Sequence, residues 1–205
     1  MTLAETLKLA PVVPVLIIED AAQAVPLAKA LTAGGLYALE VTLRTPAALE
    51  CIRRIAGEVE GAVVGAGTIT TAQARQSAAD AGAKFGVSPG LIDGEGVDGA
   101  LPLLPGIATA SELMRGMRAG FTHFKLFPAN VVGGVSALKA FASPFPQVSF
   151  CPTGGITAET APGYLALPNV ACVGGSWVAP RVAVATGDWQ SVERLAAAAA
   201  ALKRR

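Results

Sequence analysis

The chain has 205 residues, 52% of them hydrophobic and 15% charged, and sixteen basic against fifteen acidic groups leave a net charge of +1. That length suits one well-cored domain, with no Pro/Ser-rich linker or charge block to divide it. The near-neutral balance excludes broad attraction to nucleic acid or anionic membranes, and no apolar run reaches the roughly 18 residues of a membrane span.

The opening "MTLAETLKLAPVV" lacks the basic stretch and cleavage site of a secretory leader, so the cytoplasm is the expected compartment. A β-rich segment "VVPVLII" starts at Val12 and is followed by the helical pattern "AAQAVPLAKALTAGG". "LYALEVTL" from Leu36 precedes "PAALECIRRIAGEV", and "AVVGAGT" from Ala62 precedes "TAQARQSAADAGA". After "KFGVS" from Lys84 the stretch "IDGEGVDGAL" offers three glycines and few helix formers, so residues 92–100 are expected to be short or irregular. "PLLPGIA" from Pro102, "THFKLF" from Thr122, "QVSFCPT" from Gln147 and "VACVGGS" from Val170 complete eight candidate strands, with "TASELMRGMRAG" as a further helix. "DWQSVERLAAAAAALKRR" reads as a final outer helix whose closing "LKRR" sets cations at its C-terminus. Strand and helix in alternation predict an α/β fold with a parallel sheet. Eight units suit a (β/α)8 TIM barrel, one compact domain over residues 1–205.

In such a barrel alternate strand residues point inward, and the strand C-terminal ends form the active face. Glu40, Thr42 and Arg44 share parity in the second segment, while Thr68 ends the third. Lys125, with Phe127 beyond it, belongs to the sixth, and Thr153 ends the seventh ahead of Gly154 and Gly155. Gly174, Gly175 and Ser176 close the eighth. A lysine in an apolar pocket has its ammonium disfavoured, which frees a neutral amine to attack a carbonyl carbon. The plainer alternative is a buried ion pair with an inward glutamate.

Glu40 alone is equally consistent with ion pairing and with proton transfer, and Arg44 with a carboxylate clamp or a solvated rim position. Threonines commonly just fit the pleat. The glycines after the last two strands put backbone N–H groups where this fold most often holds phosphate. "VVGAGTIT" opens like a dinucleotide fingerprint, but Thr70 stands at the third glycine position and no acidic residue follows about 20 residues on. Cys51, Cys151 and Cys172 have no metal-ligand spacing and His123 is the single histidine, which weighs against a zinc hydrolase or a metal-dependent aldolase. Magnesium on carboxylates and water stays open, while the cysteines read as small buried hydrophobes.

Taken together, "GGLYALEVTLRT", "VVGAGT", "SPG", "PGIATASELMRGM", "FKLFPAN", "FCPTGGI" and "VGGSW" resemble the 2-keto-3-deoxy-6-phosphogluconate (KDPG) aldolase family, which includes 4-hydroxy-2-oxoglutarate (KHG) aldolases; the likeness runs from about Pro11 to about Trp177. The resemblance implies a metal-independent class I lyase, without cofactor, that cleaves KDPG to pyruvate and glyceraldehyde 3-phosphate in sugar-acid breakdown of the Entner-Doudoroff type. It implies that Lys125 forms the Schiff base and that Glu40 is the acid/base catalyst. Arg44 and Thr68 then hold the pyruvyl carboxylate, and Pro89 and Phe127 line its pocket. Gly154, Gly155, Gly175 and Ser176 hold the phosphate, and Thr153 matches the gluconate-type branch instead of the galactonate-type one. Family members are typically homotrimers. Alternatives are a KHG or 2-keto-3-deoxy-6-phosphogalactonate aldolase and, from another class, a non-catalytic sugar-phosphate binder.

Overall fold

A computed structural model describes residues 1–204. A short helix α1 (Leu3–Thr6) precedes β1 (Val12–Leu16), and three strand and helix pairs then follow. They are α2 (Ala24–Ala33) after β1, β2 (Ala38–Thr42) with α3 (Ala48–Glu58), and β3 (Val63–Gly67) with α4 (Ala72–Asp80). Next come β4 (Phe85–Val87), β5 (Leu103–Leu104), β6 (Gly106–Ile107), α5 (Ala110–Arg118) and β7 (His123–Leu126). The chain continues with α6 (Gly134–Ala142), β8 (Ser149–Phe150), α7 (Ala161–Leu165), β9 (Val173–Gly175), α8 (Arg181–Thr186) and α9 (Trp189–Ala200).

The fold is α/β with parallel pairing throughout. A curled six-stranded sheet runs β5-β4-β3-β2-β1-β9, beside a three-stranded sheet β6-β7-β8. The expected continuous eight-stranded sheet is thus divided. One cause is Pro105, which splits "PLLPGIA" into β5 and β6: it has no N–H to donate, though its carbonyl still accepts from Lys125 N at 2.8 Å. At the other seam β8 is only two residues long, and the backbone contacts with the segment leading into β9 are isolated. They comprise bridges at Phe150–Val170 and Thr153–Gly174, with Phe150 N donating to the Asn169 carbonyl at 2.8 Å, Ala171 N to the Phe150 carbonyl at 2.9 Å and Gly174 N to the Pro152 carbonyl at 2.9 Å.

Alternation decides what each face of a strand buries. Leu39 and Val41 of β2 join the large outer core between sheet and helices. Ala38, of the opposite parity, joins a smaller inner cluster with Val13, Phe85, Val87, Leu104 and Cys172. Leu7 plugs that cluster from below, behind an α1 whose Thr2 and Glu5 form a reciprocal capping box. All three cysteines are buried and unpaired, as expected of small hydrophobes.

No helix forms between β4 and β5, as the glycines of 92–100 foretold. What orders this segment is Arg75 of α4, 1% exposed. Its Nε and Nη2 donate to the Leu101 carbonyl, and its Nη1 meets the Glu95 carboxylate and the Gly96 carbonyl. Gly99 is needed because a Cβ there would overlap the guanidinium. The last outer helix, α9, packs on α2 where Gly34 leaves room for Ala196. Its "LKRR" ending differs from the expectation: Arg204 reaches away from the helix end to the Lys8 carbonyl at 2.9 Å, tying the two ends of the chain, and Arg205 lies outside the described residues.

Candidate active site

A cavity of about 790 Å³ opens at the C-terminal ends of β1, β7 and β9. Lys125 enters it from β7, where Phe124 and Leu126 face the outer core, leaving the lysine to point inward. Its Nζ lies 3.4 Å from Glu40 Oε1 and 5.0 Å from the centre of the Phe127 ring. Lys125 and Glu40 are each 3% exposed. Such a pair is retained only when its geometry offsets the loss of hydration, and it supplies an amine and a proton carrier side by side.

Two glycines of "VVGAGT" make room for this pair's surroundings. A Cβ at Gly67 would fall on Glu40 Oε1, and one at Gly65 would fall on the Phe85 ring. The GxG spacing therefore serves close side-chain packing across the inner face, which is the structural reason the dinucleotide-like pattern is a decoy. Thr68, directly after β3, is the one non-glycine residue of positive φ among those described, at 60°. Backbone bonds on either side, Leu43 N to the Gly67 carbonyl and Ile69 N to the Val87 carbonyl, hold it in that costly conformation. So placed, its hydroxyl accepts from Arg44 Nε at 3.0 Å.

The far wall is made by the turns after β8 and β9. Gly154 and Gly155 have φ of 103° and 71°, a region glycine enters without penalty. Their turn is fastened to the chain beyond β7: Asn130 N donates to the Gly154 carbonyl at 3.1 Å, and the Asn130 side chain fills the space a Cβ of Gly155 would need. Gly175 lies under the Trp177 ring, and Ser176 beside it is exposed at the wall. Thr153 is buried with its hydroxyl against Gly174, where again no Cβ would fit.

Of the residues singled out from sequence, Arg44, Lys125, Phe127, Thr153, Gly154, Gly155, Gly174, Gly175 and Ser176 line this one cavity. Glu40 and Thr68 are not on its wall but are joined to it through Lys125 and Arg44. Thr42, of the same parity, does not line the cavity: its hydroxyl is spent on the Leu16 carbonyl at 2.9 Å, so it braces β2 against β1. Pro89, expected at the pyruvate pocket, is also off the wall; its backbone stacks against Gly106, the ladder partner of Lys125. Sequence reasoning missed Val15, Ile17, Glu19, Trp177 and Arg181, all on the cavity wall. Period two back from Glu19 would have found the first two; nothing local marks Arg181.

Beneath the pair, the Cys151 side chain and then burial push the Cys172 thiol well above its usual range, so it stays protonated and inert. Among the described residues no three His, Cys, Asp or Glu side chains gather as a metal site.

A profile of KDPG and KHG aldolases matches residues 3–195. The 2-dehydro-3-deoxy-phosphogluconate aldolase of Pseudoalteromonas atlantica is 55% identical over 93% of this chain and 90% of its own. The KDPG aldolase of Legionella pneumophila, solved with pyruvate captured at low pH as a covalent carbinolamine intermediate, superposes with a TM-score of 0.94. It is 43% identical, covering 97% of this chain and 98% of that one. The Zymomonas mobilis enzyme, solved with 3-phosphoglycerate, gives a TM-score of 0.90 at 51% identity over 98% and 95%. An α/β fold with an amine and a carboxylate buried together at the foot of a cavity thus has its relatives among carbon–carbon lyases, and the chain belongs to the KDPG and KHG aldolase family.

Proposed function

We propose that the protein is a class I aldolase that reversibly cleaves KDPG to pyruvate and glyceraldehyde 3-phosphate. The observation that carries this reading is the Lys125–Glu40 pair: the lysine lines the cavity, and the carboxylate lies 3.4 Å behind its amine. Transfer of a proton from Nζ to the carboxylate leaves a neutral amine, which adds to the C2 keto carbon. Glu40 returns the proton to the resulting hydroxyl, water leaves, and an iminium forms. As the C4 hydroxyl gives up its proton to the carboxylate, the C3–C4 bonding electrons flow into the iminium. Glyceraldehyde 3-phosphate departs and a pyruvyl enamine remains. Protonation at C3 by Glu40 and hydrolysis of the imine then release pyruvate and restore Lys125.

Arg44, oriented by Thr68, binds the pyruvyl carboxylate, and Phe127 forms the apolar wall beside Nζ. Pro89 lends the pocket its backbone shape from behind Gly106. The glycine turns with Ser176 take the phosphate through backbone N–H groups, and Thr153 favours the gluconate-type substrate. Because the iminium is the electron sink, no metal is needed, and turnover withstands EDTA. The reading further includes a single domain over 1–205, closed as an eight-stranded (β/α)8 barrel through the two seams, a homotrimer, and a cytoplasmic location.

The test is borohydride reduction in the presence of pyruvate, followed by peptide mass spectrometry. The adduct is expected on the peptide containing Lys125; an adduct on Lys29, Lys84 or Lys139 instead overturns the assignment. Pyruvate release from KHG is a second reading, favoured by the KHG half of the family's description. A domain that binds the sugar phosphate and releases no pyruvate would mean the fold had been kept without the chemistry.

A further inference from the structure

Three charged side chains at the cavity mouth have no part in the chemistry above, and one of them, Asp20, is spent on the Ala22 N–H. Arg181, the first residue of α8, and Glu19, just beyond β1, both line the cavity and face each other, Nη2 to Oε1, at 3.7 Å. The side chains are 91% and 62% exposed, and the separation exceeds that of a good hydrogen bond. A solvated contact of this kind holds neither partner firmly.

The other two cations on the wall are already engaged. Lys125 is paired with Glu40 at the foot, and Arg44 is turned to Thr68 at the end of β2. Sheet order sets β1 between β2 and β9; Arg44 follows β2, Glu19 follows β1, and Arg181 opens the helix after β9. Arg181 follows the Gly175–Ser176 turn by only a few residues of chain, on the same wall. With Arg44 assigned to the substrate carboxylate, Arg181 is the remaining guanidinium on the wall for a phosphate at the other end.

We propose that Arg181 is a specificity-determining residue, which leaves Glu19 for the phosphate of the bound substrate and so favours phosphorylated over non-phosphorylated 2-keto acids. This rests on the aldolase reading above. Backbone N–H groups supply direction, and a guanidinium adds a charged donor fork suited to phosphate oxygens. Glu19 competes with the ligand for the arginine, but weakly, since their solvated contact is easily given up.

The test compares kcat/KM for KDPG and for the same keto acid without its phosphate, in the parent and in Arg181→Ala, Arg181→Lys and Glu19→Gln. Arg181→Ala should lower the preference for the phosphorylated substrate about five- to tenfold, mostly through KM, as expected for loss of one partly exposed charged contact. Arg181→Lys should restore part of it, and Glu19→Gln should raise it. Borohydride trapping of pyruvate on Lys125 should be equal in all four. An unchanged preference in Arg181→Ala, with trapping intact, overturns the proposal alone; absence of a Lys125 adduct in the parent overturns the aldolase reading.

Discussion

Lys125 Nζ and Glu40 Oε1 face each other across 3.4 Å inside the protein, although 85 residues separate them in the chain. Each is the other's counter-charge, so their contributions to stability and to chemistry can be separated. Lys125→Met should reduce pyruvate release to background and lower unfolding free energy by about 3–5 kcal/mol, because it strands a buried carboxylate. Glu40→Gln should lower kcat by about 10²–10⁴-fold. The double variant should regain much of the lost stability and none of the activity, as read by denaturant titration beside a coupled pyruvate assay.

Gly67 is required by the carboxylate beside it. In Gly67→Ala the methyl needs the place held by Glu40 Oε1, so the carboxylate must turn away from Lys125. Circular dichroism should report a folded protein, destabilised by about 1–3 kcal/mol through overpacking. A misplaced proton carrier should reduce kcat about 10²-fold. Unaltered turnover in a folded Gly67→Ala variant would show that the carboxylate's position is not critical.

Arg75 should be the most sensitive residue of the glycine-rich segment. Arg75→Met abandons the Leu101 and Gly96 carbonyls and the Glu95 carboxylate together, and a loss of about 3–5 kcal/mol is expected. Glu95→Gln leaves both carbonyl contacts in place and should cost clearly less. Urea midpoints for the two variants make the comparison.

His123 sets the pH response between neutrality and the carboxylate range. Burial, followed by the charge of Lys8, holds its pKa below the ordinary 6.5. The unfolded chain therefore binds this proton at higher pH than the folded one. Stability from the neutral ring is complete above pH 6.5 and is lost as pH falls through the lower folded value. As the chain's single histidine, it can be tested cleanly: His123→Asn should flatten the fall in urea midpoint between pH 6.5 and about 5, below which carboxylates dominate.

The parallel α/β plan was legible because alternation of strand and helix patterns is a local signal, and the Lys125–Glu40 candidates because charge in an apolar strand is anomalous by itself. The period-two rule set Leu39 and Val41 toward the outer core and Glu40 and Arg44 toward the site, but it could not show that the Thr42 hydroxyl between them is spent on the carbonyl of a neighbouring strand. Strand interruption at Pro105 could have been read from the missing N–H. The dependence of residues 92–100 on Arg75 could not, since the arginine lies in an unremarkable helical stretch 20 residues before its carboxylate partner.

By itself, then, the amino-acid order determined the alternating strand and helix plan and which few side chains are chemically out of place, because those follow from near-neighbour backbone and burial preferences. Only the tertiary structure decided that Gly67 makes space for Glu40, that Pro89 stands behind the wall and not in it, and that Glu19 and Arg181 meet at the mouth. Distances between residues far apart in the chain depend on how whole elements pack, and no short window of sequence contains them.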